Sequence, residues 1–328
     1  VWKESKSIRS LIGGKMRSAS LVAVIIISLV MSGCAGPQLK LFPVATDPLK
    51  EFTLEGNGTD KILLIPIRGV ISDNPKRGLL GASPSMVQQL VSQLQKAERD
   101  KSIKAVLLKI NSPGGSVTVS DILYHEISSY KQRTGVKITV SMMDIGASGA
   151  YYLSLPADRI MAHPTTQIGS IGVIFLQPRV VGLMDKIGMT IDVKKFGKNK
   201  DMGSPFRTGI PEEDRMFQTT VDKLGGRFIS LLKKHRKMEP QALAEVSTAR
   251  LFLADEALNL GLIDKIGYLS DAIKETKIIA GLPKDARVVV YRRTEYPEDN
   301  LYNVAGAASY DPRVSLINIE FPEMFNLT

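Results

Sequence analysis

Three short apolar runs, each rich in β-branched residues, place the strongest constraint on how this chain of 328 residues can fold. They lie at residues 62–67, 105–110 and 137–142. Continuous apolar runs of this length are typical of parallel strands that are buried on both faces of a sheet. The stretches between them, 83–100 and 117–132, carry apolar residues at helical spacing. The alternation predicts right-handed βαβ units and a layered α/β domain.

Further apolar and amphipathic stretches predict the remaining elements. We expect strands at 159–162 and 190–193, and helices at 211–234, 240–245 and 254–259. Composition divides the chain into a leader at 1–34, a tether rich in Pro, Gly and Thr at 35–60, a single folded domain at 61–291 and a C-terminal tail at 292–328.

The N-terminal stretch has the features of a secretory leader. Lys15 and Arg17 precede an apolar run at 21–31. As a helix this run would be only about 16 Å long, roughly half of a bilayer core. Two small residues then precede Cys34, which resembles the bacterial lipoprotein signal; an ordinary leader or an uncleaved anchor is the alternative. We therefore expect a lipid on Cys34 and a chain anchored to a membrane of the bacterial cell envelope, with its folded part on the periplasmic or extracytoplasmic face.

The composition argues against several classes of function. The single Cys excludes a disulfide framework and a zinc site built from Cys. Three His residues leave little material for a His-rich metal centre, and we expect no cofactor. The 43 Lys and Arg against 33 Asp and Glu give a net charge of +10 that is spread along the chain, so we expect no nucleic acid partner.

The sequence Asn111-Ser112-Pro113-Gly114-Gly115 directly follows the second apolar run. Pro fixes one backbone angle, and two glycines allow conformations in which amide N–H groups point into a cleft. Fixed N–H donors of this kind form an oxyanion hole, which stabilises negative charge on a carbonyl oxygen. A plain tight turn is the alternative, although ligands gather at the carboxyl ends of parallel strands.

Ser148 follows the third apolar run and lies among small residues, which admit a substrate backbone close to its hydroxyl. If a helix begins here, the N–H of Gly149 is an unpaired donor beside this serine. The alternative is a Ser that caps the helix. The sequence approaches the G-x-S-x-G pattern of α/β-hydrolases, but Ala150 stands where that pattern requires Gly.

A nucleophilic serine needs a base, and the residues alone leave several candidates open. His163 ends a predicted strand, where it can simply cap or pack, and His235 lies in a basic stretch predicted to be a solvated helix face. A lysine is the third option, because burial disfavours its charged form. The segment 194–205 offers four: Lys194, Lys195, Lys198 and Lys200.

Several segments together resemble the signal peptide peptidase A (SppA) family of serine peptidases, in its short form. They are 111–115, 147–152, 169–173, 198–201 with Ser204-Pro205, 250–252, 257–258 and 261–264, and the resemblance covers about 61–282. It implies a Clp-protease/crotonase-like α/β fold, a stacked ββα superhelix in a single catalytic domain. It also implies that Ser148 is the nucleophile and Lys200 the general base, and that Gly115 and Gly149 supply the oxyanion amides. Ala150 is a departure, since many members carry a second Gly there.

The resemblance implies an endopeptidase that degrades cleaved signal peptides or other unfolded apolar peptides, and a ring-like homo-oligomer. A catalytically inactive scaffold that binds peptides and a crotonase-type acyl-CoA enzyme are the alternatives. If the segment around Lys200 is extended, Asp201 points away from Lys200 and Lys198 points to its side.

Overall fold

The fold contains the predicted alternation of strands and helices, and most of its strands form one large sheet. A computed structural model describes residues 47–78, 81–296 and 298–303. The strands of this part of the chain are β1 (Lys50–Glu55), β2 (Lys61–Arg68), β3 (Lys76–Gly78), β4 (Gly81–Ser83), β5 (Ile103–Ser112), β6 (Lys137–Ala147), β7 (Arg159–Ala162), β8 (Gln167–Gly169), β9 (Leu251–Leu253), β10 (Lys265–Ile266) and β11 (Arg287–Arg292). The large sheet has the order β1–β11–β2–β5–β6–β7–β10, with β8 pairing with both β6 and β9, and β3 pairs only with β4.

Eight helices are described in the same residues, and those predicted from periodicity are all among them. They are α1 (Met86–Arg99), α2 (Val117–Thr134), α3 (Gly149–Ser154), α4 (Val181–Ile187), α5 (Pro211–His235), α6 (Pro240–Val246), α7 (Ala254–Asn259) and α8 (Leu269–Ile279). Helix α1 begins with a capping box between Ser85 and Gln88, and α2 ends at Gly135, whose φ of 68° is left-handed.

The central strands β2, β5 and β6 are parallel and buried on both faces, as the continuous apolar runs predict. Successive residues of β2 enter opposite apolar clusters. Leu63 packs in the cluster that contains Leu123 and Tyr130 of α2, whereas Leu64 packs in the one that contains Ile273 of α8. The sheet therefore has helices on both sides, which is the layered α/β arrangement expected.

Strand β6 changes its partner near its end, and this positions the residues that follow it. Residues Thr139–Met142 pair with β7, whereas Ile145–Ala147 pair with β8. Asn111 braces the change: its Nδ2 donates to Asp144 over 2.7 Å, and its Oδ1 accepts from the N–H of Ile145 over 3.3 Å. The end of β6 therefore has β5 on one side and β8, no longer β7, on the other just before Ser148.

Two expectations about the elements need correction. The predicted strand at 190–193 is wrong, because these residues have no strand pairing and are exposed. The apolar alternation there marks an exposed apolar surface: Ile191 is 43% and Val193 50% exposed. In addition, β1 pairs with β11 although it lies within the predicted tether, so the sheet begins earlier than expected.

Residues 1–46 and 304–328 lie outside the described residues. The expectations for the leader, for Cys34, for the first part of the tether and for most of the tail therefore fall outside them as well. Among the described helices, none combines the length and the apolar character needed to cross a membrane.

Candidate active site

The glycine turn after β5 is held in a shape that only glycine can adopt. The N–H of Gly114 donates to the buried Oγ of Ser112 over 3.1 Å, and φ is 98° at Gly114 and 156° at Gly115. The N–H of Ile71 donates to Gly114 O over 2.8 Å, and Ser116 N–H donates to Ile71 O over 2.9 Å. A Cβ on Gly115 would lie 2.2 Å from Ile71 O, so a side chain is excluded there.

Ser148 stands at the N-terminus of α3 in a strained conformation. Its φ is 51° and its ψ is −122°, a region that residues other than glycine rarely adopt. Its N–H donates to Gly169 O over 2.8 Å, and its own carbonyl accepts from Tyr152 N–H over 2.9 Å. Its side chain makes no capping hydrogen bond, so the alternative of a helix cap is wrong. Backbone strain of this kind clusters at functional sites.

The glycine turn packs directly against Ser148. A Cβ on Gly114 would lie 2.8 Å from the Cβ of Ser148 and 2.8 Å from the amide nitrogen of Gly149. A Cβ on Gly149 would lie 3.5 Å from the amide nitrogen of Gly115 and 2.1 Å from Ser120 Oγ. Neither amide N–H has an acceptor within the described part of the chain. Two unpaired N–H donors beside a strained serine are the arrangement of an oxyanion hole.

Neither histidine that follows Ser148 in sequence is bonded to it. His163 shares a hydrogen bond of 2.9 Å with Thr165 Oγ1 and packs edge-on against Tyr268, with ring centroids 5.0 Å apart. His235 Nε2 lies 2.8 Å from the hydroxyl of Tyr124. Burial, followed by the nearby ammonium groups of Lys234 and Lys131, lowers the pKa of His235. The expected solvated face is therefore wrong for this ring, which is half-buried.

The lysines of 194–205 differ in their partners. Lys195 donates to Asp201 over 2.6 Å, and Lys198 donates to Glu212 over 2.7 Å. Within the described ranges, the ammonium of Lys200 has no carboxylate partner and no hydrogen bond to Ser148. Lys200 is exposed on the single chain.

The segment around Lys200 is not extended, which corrects the argument from alternation. It forms successive turns, with the N–H of Lys200 donating to Gly197 O over 3.2 Å and that of Met202 to Asn199 O over 3.1 Å. Asp201 is nevertheless engaged elsewhere. Its hydrogen bonds from Arg207, and then from Lys195, lower its pKa to about 2.

Lys200 belongs to a region that we call the arm, residues 174–224, whose apolar side chains are mostly exposed. Phe196 is 100% exposed. Other apolar side chains exposed on the arm are Ile174, Phe175, Leu176, Leu183, Ile187, Met189, Ile191, Val193, Ile210 and Met216. Exposed apolar side chains concentrated in one region of a chain indicate an interaction site.

Two polar clusters that sequence reasoning did not find attach α5 to the domain. Arg236 donates to Gly261 O over 2.8 Å and to Asp264, whose Oδ2 accepts from Ile160 N–H over 2.7 Å. In the second cluster, Asp121 accepts from Arg227 over 2.7 Å and from Tyr152 over 2.5 Å. Charged partners separated by 28 and 106 positions give no signal in a single sequence.

We searched the described residues for side chains that could bind a metal ion. In the ranges that the structure covers, no three His, Cys, Asp or Glu residues are placed to hold an ion. What the arrangement offers chemically is a serine hydroxyl beside two backbone N–H donors.

Comparisons with known proteins show what the chain is similar to. Residues 130–282 match the model of peptidase family S49, and residues 82–173 match that of the Clp protease family, which shows the Clp-like α/β fold. A putative signal peptide peptidase SppA of Enterococcus faecium is 34% identical over 253 residues, which are 77% of this chain and 73% of that protein. Protease 4 of Haemophilus influenzae is 28% identical over 75% of this chain and 39% of its own length. A ClpP1 mutant from Listeria monocytogenes superposes with a TM-score of 0.41 at 15% identity, over 64% of this chain and 94% of that one.

Proposed function

The chain belongs to peptidase family S49 and is a serine-type peptidase, and from this premise we propose that Ser148 is its nucleophile and Lys200 its general base. Family membership favours a peptidase over the two alternatives, an inactive peptide-binding scaffold and a crotonase-type acyl-CoA enzyme. The observation that carries the proposal is the contact between Ser148 and the glycine turn, in which two amide N–H groups without acceptors stand beside the serine.

The first half of the reaction forms an acyl-enzyme. Ser148 Oγ attacks the carbonyl carbon of the scissile peptide bond while neutral Lys200 takes the hydroxyl proton. The negative charge that develops on the carbonyl oxygen is stabilised by the N–H groups of Gly115 and Gly149. The C–N bond then breaks, and Lys200 returns the proton to the leaving amine.

The second half releases the acyl group. Water attacks the ester carbonyl and gives a proton to Lys200, and the same two amides hold the oxyanion. The bond from the carbonyl carbon to Ser148 Oγ then breaks, and Lys200 returns the proton to the serine. The product is a carboxylic acid, and no metal or cofactor takes part in this scheme.

Lys200 requires a partner surface in this scheme. A lysine accepts a proton only in its neutral form, and burial away from carboxylates is what favours that form. The absence of a carboxylate partner for Lys200 among the described residues supports the assignment, but the side chain is exposed on the single chain. We therefore propose a homo-oligomer in which a neighbouring subunit covers Lys200 and the exposed apolar side chains of the arm, whose exposure supports this.

The location and the substrates are further parts of the proposal. A lipid on Cys34 would hold the peptidase on a membrane of the bacterial cell envelope, outside the cytoplasm. The substrates are then cleaved signal peptides or other unfolded apolar peptides near that membrane. The support is the leader sequence and the relative from Enterococcus faecium, whose name describes a putative signal peptide peptidase.

Labelling with a fluorophosphonate probe tests the nucleophile. The probe should label the wild-type chain and fail to label Ser148→Ala. Ser129→Ala is the matched control, since Ser129 lies on α2 and its hydroxyl shares a hydrogen bond of 3.4 Å with His125. Labelling that persists in Ser148→Ala would overturn the assignment, and absence of labelling in the wild type would favour the inactive scaffold.

A further inference from the structure

Helix α5 has 25 residues, but only its C-terminal part packs against the folded domain. Phe228 is 4% exposed and Leu232 is fully buried. Arg227 donates to Asp121 over 2.7 Å, and His235 shares a hydrogen bond of 2.8 Å with Tyr124. From position 227 onward, the helix is therefore fixed to α2 and to the apolar core.

The N-terminal part of α5, which belongs to the arm, is instead fixed to the rest of the arm, residues 174–210. Lys198 donates to Glu212 over 2.7 Å, and Arg179 donates to Asp214 over 3.1 Å. Phe217 stacks on Phe175, with ring centroids 4.6 Å apart. These contacts join the first two turns of the helix to the segment that carries Lys200.

Glu213 contributes a further contact within the arm. It is buried although it lies near the helix start, and its carboxylate accepts from Arg207, which also donates to Asp201 over 2.9 Å. Because Asp201 is next to Lys200, the ion pairs connect the start of α5 directly to the proposed base. The arm therefore holds together through its own contacts.

Two consecutive glycines, Gly225 and Gly226, lie between the two parts of α5. A Cβ built on either one would meet no atom within 4 Å, and neither has a positive φ. Close packing within the chain and backbone geometry therefore do not require glycine at these positions. Glycine weakens a helix interior, and pairs of small flexible residues are a recognised cause of helix bending.

The other link between arm and domain is irregular. Residues 170–173, which join β8 to the arm, contain no helix or strand. If α5 bends at the glycine pair, the segment between β8 and the arm can therefore change its backbone angles without breaking a helix or a strand.

We propose that Gly225 and Gly226 form a hinge in α5 that lets the arm turn relative to the domain and so positions Lys200 with respect to the nucleophile. The inference rests on the proposed role of Lys200. The glycines are positioning residues, since they contact neither substrate nor reacting atoms. Hinges that move catalytic groups into place are short segments that absorb a change in backbone angles.

The test compares Gly225→Ala/Gly226→Ala with Thr219→Ala/Thr220→Ala in the full chain. The control pair is exposed on the same helix, and its hydroxyls bond only to the carbonyls of Arg215 and Met216 four residues earlier. Both double variants raise helix propensity, so both should raise Tm by about 2–4 °C. Only the glycine pair should change the reaction.

Hydrogen exchange and steady-state kinetics give the readouts. Amides around 225–228 should exchange at least roughly tenfold more slowly in Gly225→Ala/Gly226→Ala than in the wild type, with no change in the threonine variant. The kcat for an apolar peptide should fall by roughly tenfold or more, while KM stays within about twofold. A loss of kcat in a more stable protein is not what a merely structural role produces.

Two results would overturn the hinge. One is a stabilised glycine variant with wild-type exchange and wild-type kcat. The other is loss of oligomers by light scattering with unchanged exchange, which would mean that the glycines serve close packing between copies. Slowed exchange combined with normal turnover of Lys200→Ala would instead overturn the proposed base and leave the hinge standing.

Discussion

The backbone N–H of Ser148 donates a hydrogen bond to the carbonyl oxygen of Gly169 over 2.8 Å. This bond continues the pairing of β6 with β8 by one residue and keeps Ser148 in its strained conformation. The serine is thus fixed by β8, the second partner of β6, and not by β7. Its hydroxyl takes no part in holding the helix that follows.

Lys200→Ala should lower turnover of an apolar peptide by roughly 10²–10⁴-fold, the usual range for a general base. Lys200→Arg should not restore it, because the guanidinium stays protonated. Lys198→Ala is the matched control and should keep most of the turnover, since Lys198 is paired with Glu212. Normal turnover in Lys200→Ala together with loss in His163→Ala would replace the dyad with a Ser–His mechanism.

Gly115→Ala should lower kcat by roughly 10²–10³-fold, as loss of one oxyanion donor does. It should also reduce the free energy of unfolding by about 1–3 kcal/mol, because the new Cβ meets Ile71 O and strains the turn. Gly135→Ala separates the two effects: it is strained at φ 68° but meets no atom within 4 Å. Its kcat, measured alongside, should equal that of the wild type.

His235→Gln should remove part of the loss of stability at acid pH. Since burial lowers the pKa of His235 below 6.5 in the folded state, the unfolded state binds the proton first as pH falls. The resulting stability is complete above pH 6.5 and is lost as pH falls toward the folded-state pKa. Urea unfolding at several pH values should show a shallower slope in this window for His235→Gln than for the exposed control His125→Gln. Equal slopes would contradict the prediction.

Phe196→Glu should shift the protein from oligomer to monomer in light scattering and abolish turnover with it. A charge on a fully exposed phenylalanine harms only a surface that is covered in the assembly. Ile278→Glu is the control, because Ile278 is 72% exposed on α8 and lies outside the arm. A monomeric Phe196→Glu variant with full activity would refute the need for a neighbouring subunit.

Cys34→Ser should abolish labelling by a clickable fatty acid and release the protein from the membrane fraction. The physical reason is that the thiol is the only one in the chain. Labelling that survives in Cys34→Ser would exclude lipidation at this residue.

Periodicity predicts the buried part of this fold well, because β2, β5 and β6 are apolar on both faces and α1, α2 and α5 are amphipathic. It fails at Ile191 and Val193, where β-branched residues lie on an exposed surface and not in a sheet. It also fails at β1, whose pairing with the distant β11 is a long-range property.

The residues of the candidate site also fall into those that the sequence predicts and those that it does not. The glycine turn and Ser148 are predictable, because each directly follows an apolar strand. The environment of Lys200 is not, since ion pairs such as Lys198 with Glu212 depend on how turns bring separate segments together. The half-buried state of His235 is hidden for the same reason: its cover is Tyr124, more than a hundred positions away.

Because β6 changes its pairing partner from β7 to β8, the number of residues between the two paired segments of β6 is fixed. Met142 is the last residue that pairs with β7, and Ile145 is the first that pairs with β8. Inserting or deleting one residue in this interval would reverse the faces of everything up to Ser148, because side chains alternate along a strand. The strand geometry that positions Ser148 therefore excludes a one-residue change of length between Met142 and Ile145.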